Sequence, residues 1–315
     1  MKRKIVRQGG SALTITLPSK WTQQFRLQPG DEVHLQQHGK DLLLSTAQLD
    51  APKSIELDTI KLGSFHHYYL TYYYHLGYDE IRVIYNKPEV FQQAKEHIRH
   101  LLGYEITETG KNSFVIRNVS TVVASEFDTM LRRIFLLTLS LADESLDAFN
   151  HNNITHLQDL QEIELTNNKF VSFCTQVLHK HGHPVPHYTL SMYALVRELE
   201  KLCDEYKHLC GVGISQLSRS SPEQFPPQIL EYYRAVNSYV RLFYDLFYVY
   251  HEEKVQRLFS EKKRLEEQGK SLLETQQQGQ QQSQDALLVH HLLTIVSQVF
   301  DLKGPYFQML LSKPS

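Results

Sequence analysis

The sequence predicts a mainly α-helical protein of several domains, with a β-rich N-terminus and a small α+β module before the helices. Three patterns support this fold class. Apolar and polar residues alternate within residues 1–46, strand and helix patterns alternate over 55–120, and apolar residues recur every three or four positions over 121–315. We call these regions the head, the module and the helical body. A chain of 315 residues, 41% hydrophobic and 22% charged, is typical of a globular protein of two or three domains.

The first strand of the head is predicted by alternation. Leucine and isoleucine alternate with threonine over residues 13–17, which is the period of a half-buried strand. Residues 8–11 contain two glycines and predict a hairpin turn. Pro18 ends this strand and suits the start of a short helix, on which Trp21 and Phe25 share a face.

A turn at residues 28–31 leads into a second predicted hairpin, formed by Val33–Gln37 and Asp41–Ser45 around the turn at 38–40. Two hairpins and one short helix do not enclose an adequate core, because domains of about 40 residues usually need a metal, disulfides or oligomerisation. We therefore expect the head to form a dimer.

The head is also strongly cationic. Its first thirty residues carry six Lys or Arg side chains and the first acidic residue is Asp31, whereas the whole chain has 33 basic and 35 acidic residues. A charge distribution this asymmetric indicates a local contact with a polyanion.

The run from Arg3 to Val33, containing GGS, LTITLPSKW and LQPGDEV, resembles the swapped-hairpin DNA-binding domain of the AbrB, SpoVT and MazE group. The resemblance implies that two chains interlace their hairpins into one barrel and that basic side chains contact operator DNA. The residues to which it assigns this contact are Lys2, Arg3, Lys4, Arg7, Ser11 and Lys20. The alternative is that these cations form an ordinary solvated rim, since some members of the group bind only proteins.

The module follows a predicted linker at residues 46–56. Its predicted elements are a tyrosine-rich helix at 62–75, a strand at 81–85, a helix at 88–102 and strands at 104–109 and 113–119. The aromatic run FHHYYLTYYYH at residues 65–75 is interpreted as an amphipathic packing helix whose tyrosine hydroxyls reach water.

Six helices are predicted in the helical body. They cover about 121–149, 156–181, 188–209, 228–250, the following residues to about 274, and 285–311. A proline-containing linker at 220–227 separates two groups of three, and a glutamine-rich stretch at 276–284 connects the last two helices. This arrangement suggests a pair of three-helix bundles related by duplication, with repeats at about 121–213 and 226–313.

The three cysteines match no zinc or redox spacing. Cys203 and Cys210 are seven residues apart on one face of the third helix, among Leu199, Leu202 and Tyr206. We interpret all three, including the one at position 174, as reduced core residues.

A pair of carboxylates on the third helix indicates metal chemistry. Glu200 and Asp204 lie one turn apart at the edge of the face that carries Leu199 and Cys203. If the second helix is an antiparallel neighbour, Glu164 joins them in an oxygen-rich site for iron, magnesium, manganese or a similar ion. The alternative is ordinary surface pairing, of Glu200 with Arg197 or Lys201 and of Asp204 with Lys207 or His208.

The runs SEFDTMLRRIFLL (125–137) and VRELEKLCDEYKHL (196–209) resemble the PhoU family of phosphate-uptake regulators. The resemblance implies two three-helix bundles, with metal held by Glu-x-x-x-Asp pairs in some members. Glu200 and Asp204 match that motif, whereas Glu164 is followed by Asn168 where the motif has Asp. Head and body together resemble archaeal PhoU-like proteins that carry an AbrB-type domain.

These features favour a homodimeric, DNA-binding regulator of phosphate uptake whose body senses or relays phosphate status. The alternative is an adapter that docks on the ATPase of a phosphate ABC transporter, with the head acting only as a dimeriser. An enzyme is not expected, because no glycine-rich phosphate loop follows a strand and no Ser-His-Asp or Cys-His set can be assembled. Without a long apolar run or a signal peptide, we expect a cytoplasmic protein.

Overall fold

The structure is a computed structural model that describes residues 2–38, 41–46, 52–119, 124–219, 225–276 and 283–312. The chain divides into two compact units, Met1–Pro52 and Lys53–Ser315. The first corresponds to the head, and the second contains the module and the helical body. The strand-rich N-terminus and the helical C-terminal half confirm the coarse fold class predicted from the sequence.

The head consists of two antiparallel hairpins and one short helix. Its elements are β1 (Ile5–Gln8), β2 (Ala12–Ile15), α1 (Ser19–Gln24), β3 (His34–His38) and β4 (Asp41–Ser45). Gly9 takes a φ of 68° in the first turn, as predicted for a glycine at that point. The Trp21 and Phe25 rings lie 5.8 Å apart, so the predicted shared face is confirmed. Residues 39–40 of the predicted second turn lie outside the described residues.

The module is a four-stranded sheet covered by helices. Its elements are β5 (Ser54–Asp58), α2 (Tyr68–His75), β6 (Glu80–Ile84), α3 (Pro88–His97), β7 (Tyr104–Thr109) and β8 (Ser113–Asn118). The strand order is β5-β6-β8-β7, with β5 parallel to β6 and the other pairs antiparallel.

Two predictions for the module were wrong at their boundaries. The last three residues of the predicted linker 46–56 belong to β5, which begins at Ser54. Ile55 and Leu57 alternate with acidic residues there and pack on the sheet core. The helix predicted from Leu62 begins only at Tyr68, after turns that include Gly63 at a φ of 73°. The interpretation of its tyrosines holds in part, since Tyr68 and Tyr72 are exposed whereas the buried Tyr74 donates a hydrogen bond to the Leu102 carbonyl.

Seven helices form the described part of the helical body. They are α4 (Phe127–Asn150), α5 (Ile154–Lys180), α6 (Thr189–Leu217), α7 (Pro227–Tyr248), α8 (Glu252–Gln276), α9 (Ser283–Asp301) and α10 (Lys303–Leu311). The last predicted helix is therefore interrupted at Leu302. The prediction that the third helix ends near Leu209 was wrong, because α6 continues through Gly211 and Gly213 to Leu217.

The helices pack as two groups of three. Helices α4, α5 and α6 contact one another, α7, α8 and α9 do the same, and the groups meet through α4 with α7 and α6 with α9. One continuous apolar core joins both groups. Cys174, Cys203 and Cys210 are buried in it as free thiols, which confirms the interpretation of the cysteines.

In the described part of the chain, one segment is long and apolar enough to cross a membrane, namely Asp285–Leu311. This is weak evidence for a membrane span, because the core helix of a globular protein has the same length and composition. Leu288, Val289, Leu292 and Ile295 of this segment are fully buried against the other helices.

Candidate functional site

The structure places the predicted DNA-contacting residues on the surface of the head. Lys2, Arg3 and Lys4 precede β1, and Arg7 lies on it. Ser11 belongs to the first hairpin turn and Lys20 to α1; both side chains are exposed, as are the four cations. The ion pairs found among the described residues all lie in the second unit, so the cationic charge of the head is not neutralised within those residues.

The strand register divides the first hairpin into two faces. Ile5 is paired with Ile15 and Arg7 with Leu13, so these four side chains share one face. All four are exposed, and none of the head side chains whose burial the structure describes is buried. The head of one chain therefore presents apolar strands without a core of its own.

The structure brings the three predicted metal ligands to facing helices. Glu164 lies on α5, and Glu200 and Asp204 lie on α6, which packs against it. Burial, the negative charges of Glu164 and Glu200, and a hydrogen bond to the Glu164 carboxyl together raise the pKa of Asp204 to about 6. Glu200 also has a raised pKa, mainly because it is half-buried. The three carboxylates therefore interact electrostatically.

The surface-pairing alternative is also visible at this group. Arg197 forms an ion pair with Glu200, and Lys207 Nζ lies 2.9 Å from the Glu164 carboxylate. Asn168 donates a hydrogen bond to the other Glu164 oxygen. The pKa of Asp204 stays raised, first by burial and then by the charges of Glu164 and Glu200, although the charge of Lys207 opposes the shift.

A different group on the helical body is arranged so that it could hold a metal ion. Ligand atoms of Glu205, His208 and His291 all lie within 4.8 Å of one another. His291 Nδ1 lies 2.6 Å from one oxygen of Glu205, and His208 Nδ1 lies 3.6 Å from the other. Glu205 is buried, His291 is half-buried and His208 is exposed.

The sequence patterns did not predict this second group. The spacing of Glu205 and His208, three residues apart, was a usable signal, because i and i+3 residues share a helix face. His291 gave no such signal, since it lies on α9 in the other group of three helices. Only the packing of α6 against α9 brings it to Glu205.

The second unit also contains a cavity of ≈530 Å³ between the module and the helical body, lined by residues of both. Its walls include four histidines, at positions 67, 75, 97 and 100, together with Arg197 and Glu200. Burial, followed by the charges of Arg197 and His179, lowers the pKa of His75 to about 4. Burial, followed by the neighbouring His67 and His100, lowers the pKa of His97 to about 4 as well.

Comparison of the chain with protein-family models, with curated proteins and with solved structures gave no match. The structure itself defines a two-unit protein with an exposed cationic head and a helical body that has a candidate metal-binding group. Functional assignment rests on these residues and on the resemblances of the sequence motifs.

Proposed function

We propose that this chain is a homodimeric, DNA-binding transcription regulator of phosphate uptake. The observation that carries the proposal is the head, in which every described cation is exposed and no acidic side chain among the described residues neutralises it. Lys and Arg side chains that neutralise DNA phosphates release condensed counterions, and this release gives affinity for DNA of any sequence. Five of these cations, Lys2, Arg3, Lys4, Arg7 and Lys20, are among the residues that the AbrB-type resemblance assigns to the operator.

Dimerisation follows from the apolar face of the head. Ile5 and Leu13 are each 68% exposed and Ile15 is 55% exposed on a hairpin whose strands are only four residues long. A second head that covers these strands removes the apolar surface from water, and burial of each such side chain contributes about 1.5–3 kcal/mol. An interlaced barrel of two heads satisfies this requirement and doubles the number of cations facing DNA.

The helical body is the part of the protein that receives the signal in this proposal, and its PhoU resemblance favours phosphate status as that signal. Regulation requires two states of the body that hold the paired heads differently. A metal ion held by Glu164, Glu200 and Asp204 is part of the proposal, because a cation would offset the burial and the carboxylate repulsion that raise the Asp204 pKa. Replacing Glu200 and Asp204 together with alanine should then remove copurifying iron or manganese, and unchanged metal content would contradict this assignment.

The proposal is tested by fluorescence anisotropy of labelled duplexes taken from upstream of the chain's own gene and of phosphate-transport genes. The full chain should prefer these duplexes over random DNA, and its affinity should fall steeply with salt. The triple variant R3A/K4A/R7A should bind more weakly and with a flatter salt dependence. Its slope should decrease by about 0.9 for each DNA phosphate that the variant no longer neutralises.

The matched control removes three exposed cations of the module instead, at Lys95, Arg99 and Lys111. It changes the net charge equally, so it should leave DNA affinity nearly unchanged if the head is the binding surface. Absence of binding at low salt would reject the regulator. It would favour the adapter that docks on a phosphate transporter, in which the head only dimerises.

A further inference from the structure

We propose that Glu205, His208 and His291 bind a divalent transition metal of the zinc, nickel and copper class, and that this ion cross-links the two groups of helices. The three side chains offer one carboxylate and two imidazoles, with ligand atoms within 4.8 Å of one another. Three protein ligands of this kind are the usual complement of a zinc site that keeps a further position open.

The chemistry of the ligands selects the class of ion. Imidazole nitrogen suits zinc, nickel, copper and iron, whereas magnesium and calcium prefer oxygen ligands throughout. This separates the Glu205 group from the oxygen-rich group of Glu164, Glu200 and Asp204, although both use α6. Zinc, nickel and copper should therefore prefer the Glu205 group, and magnesium and manganese the oxygen-rich group, whereas iron suits both. The residues whose replacement should weaken binding also differ between the two sites.

Rigid elements hold the Glu205 group in place. Glu205 and His208 lie one turn apart within the 29-residue helix α6, and His291 lies within α9, which packs against it. Gln216 donates a 3.5 Å hydrogen bond to Asp285 further along the same pair of helices. A metal ion here would add a bond between the first and the second group of three helices.

The charge at this site suits a cation. Glu205 is buried, and its two carboxylate oxygens face the imidazoles of His291 and His208, at 2.6 Å and 3.6 Å. A buried carboxylate requires a cation or hydrogen-bond donors as partners. Lys207 is the nearest cation in sequence, and its charge is directed to Glu164, 2.9 Å away.

The open side of the site faces a surface pocket of ≈480 Å³. His208 and His291 line this pocket together with Gln161, Gly211 and Ser215. The small side chains at positions 211 and 215 leave room in front of the imidazoles. Water or a small ligand in this pocket would complete the coordination of the ion.

The proposal is tested on the full chain, freed of metal with a chelator and titrated with Zn²⁺ by isothermal calorimetry at pH 7.5. We expect one tight Zn²⁺ per chain and much weaker binding of Mg²⁺. H208A and H291A should each weaken zinc binding by about a hundredfold or more, since even the loss of an outer-shell partner costs 10–100-fold. H290A removes an exposed histidine next to His291 and should bind zinc like the wild type.

Three further measurements test the fold of the variants, the location of the site and the identity of the ligand atoms. His208 is exposed, so H208A should keep its fold, and circular dichroism checks this. The double variant E200A/D204A should retain zinc binding, which distinguishes this site from the oxygen-rich one. The absorption spectrum of bound Co²⁺ should lack a thiolate charge-transfer band, because the ligands are nitrogen and oxygen. Equal zinc affinity in the wild type and in folded H208A/H291A, or a thiolate band, would overturn the proposal.

Discussion

Single polar residues in the core of the helical body connect its two groups of helices. The Tyr206 hydroxyl donates a hydrogen bond of 2.7 Å to Asn237 Oδ1, and Asn237 Nδ2 donates one of 2.6 Å to the Ala142 carbonyl. Nearby, the hydroxyls of Ser145 and Tyr233 lie 2.7 Å apart. Buried polar networks of this kind stabilise the fold only when every polar group has a hydrogen-bond partner.

Replacing Asn237 with alanine should destabilise the protein by about 2–4 kcal/mol. The variant leaves the Tyr206 hydroxyl and the Ala142 carbonyl without their partners, and each unsatisfied buried group costs about 1–3 kcal/mol. Chemical denaturation measures the change. Ser238→Ala is the matched control, because Ser238 is exposed and bonds only to the Arg234 carbonyl of its own helix. Similar midpoints for the two variants would contradict a structural role for the network.

At the scale of residues, helical periodicity could predict which side chains are buried but not which of them meet. The spacing of Leu199, Cys203 and Tyr206 predicts their common face, and the structure buries all three. The same spacing placed Glu200 at the edge of that face. It could not predict the meeting of Tyr206 with Asn237, because that contact depends on how α6 packs against the next group of helices.

At the scale of helices, Gly213 marks a close approach between neighbouring helices and not a helix end. A Cβ added at Gly213 would lie 2.8 Å from both Leu157 Cδ1 and Phe149 Cζ, so α6 passes close to α4 and α5 at this point. Sequence reasoning predicted a helix end before Gly211 because glycine disfavours helices by about 1 kcal/mol. The packing gained by close approach offsets that propensity, and no local pattern reveals it.

This difference predicts opposite effects for two neighbouring substitutions. Gly213→Ala should destabilise the protein by about 1–2 kcal/mol, because Leu157 and Phe149 are buried and cannot move without strain. Gly211→Ala should stabilise it by up to about 1 kcal/mol, since its nearest neighbour, Gln161 Nε2, lies at an ordinary 3.5 Å. Thermal melts of both variants measure the signs. If both substitutions changed the melting temperature in the same direction, Gly213 would not lie at a tight helix crossing.

The contact between the module and the helical body should make the protein sensitive to acid. The pKa of His75 is about 4 in the fold and about 6.5 in an unfolded chain, so the unfolded state binds more protons between these values. The stability that His75 contributes is present above pH 6.5 and is lost as the pH falls towards 4, up to about 3 kcal/mol. His97 acts in the same direction.

Thermal melts of the wild type and His75→Gln between pH 7.5 and pH 4 test this prediction. The variant carries no titrating imidazole at this position, so its melting temperature should fall less over the window. His290→Gln, which removes an exposed histidine, should follow the wild type. A pH dependence that is unchanged in His75→Gln would assign the acid sensitivity to other groups.

At the scale of the whole molecule, the two units differ in how they are stabilised. The second unit has extended apolar cores in both the module and the helical body, whereas none of the head side chains whose burial the structure describes is buried. The sequence predicted this weakness from the length of the head alone. The order of the strands in the module was not predictable, because the missed strand β5 pairs in parallel with β6 across an intervening helix.

The proposed head dimer predicts that a charge on its apolar face separates the two chains. Ile15→Glu places a carboxylate opposite Ile5, where dimerisation would remove the charge from water at a cost of several kcal/mol. Size-exclusion chromatography with light scattering should give the mass of a dimer for the wild type and of a monomer for the variant. The salt slope of DNA binding should also fall by about half, because one head carries half of the phosphate contacts.

Thr14→Glu is the matched control for this experiment, because Thr14 pairs with Val6 on the opposite face of the same hairpin. It adds the same charge to the head and lowers DNA affinity through that charge, but it should leave the mass of the dimer unchanged. A dimeric Ile15→Glu variant would place the contact between chains outside this apolar face. A monomeric wild type would mean that the exposed strands of the head require some other partner.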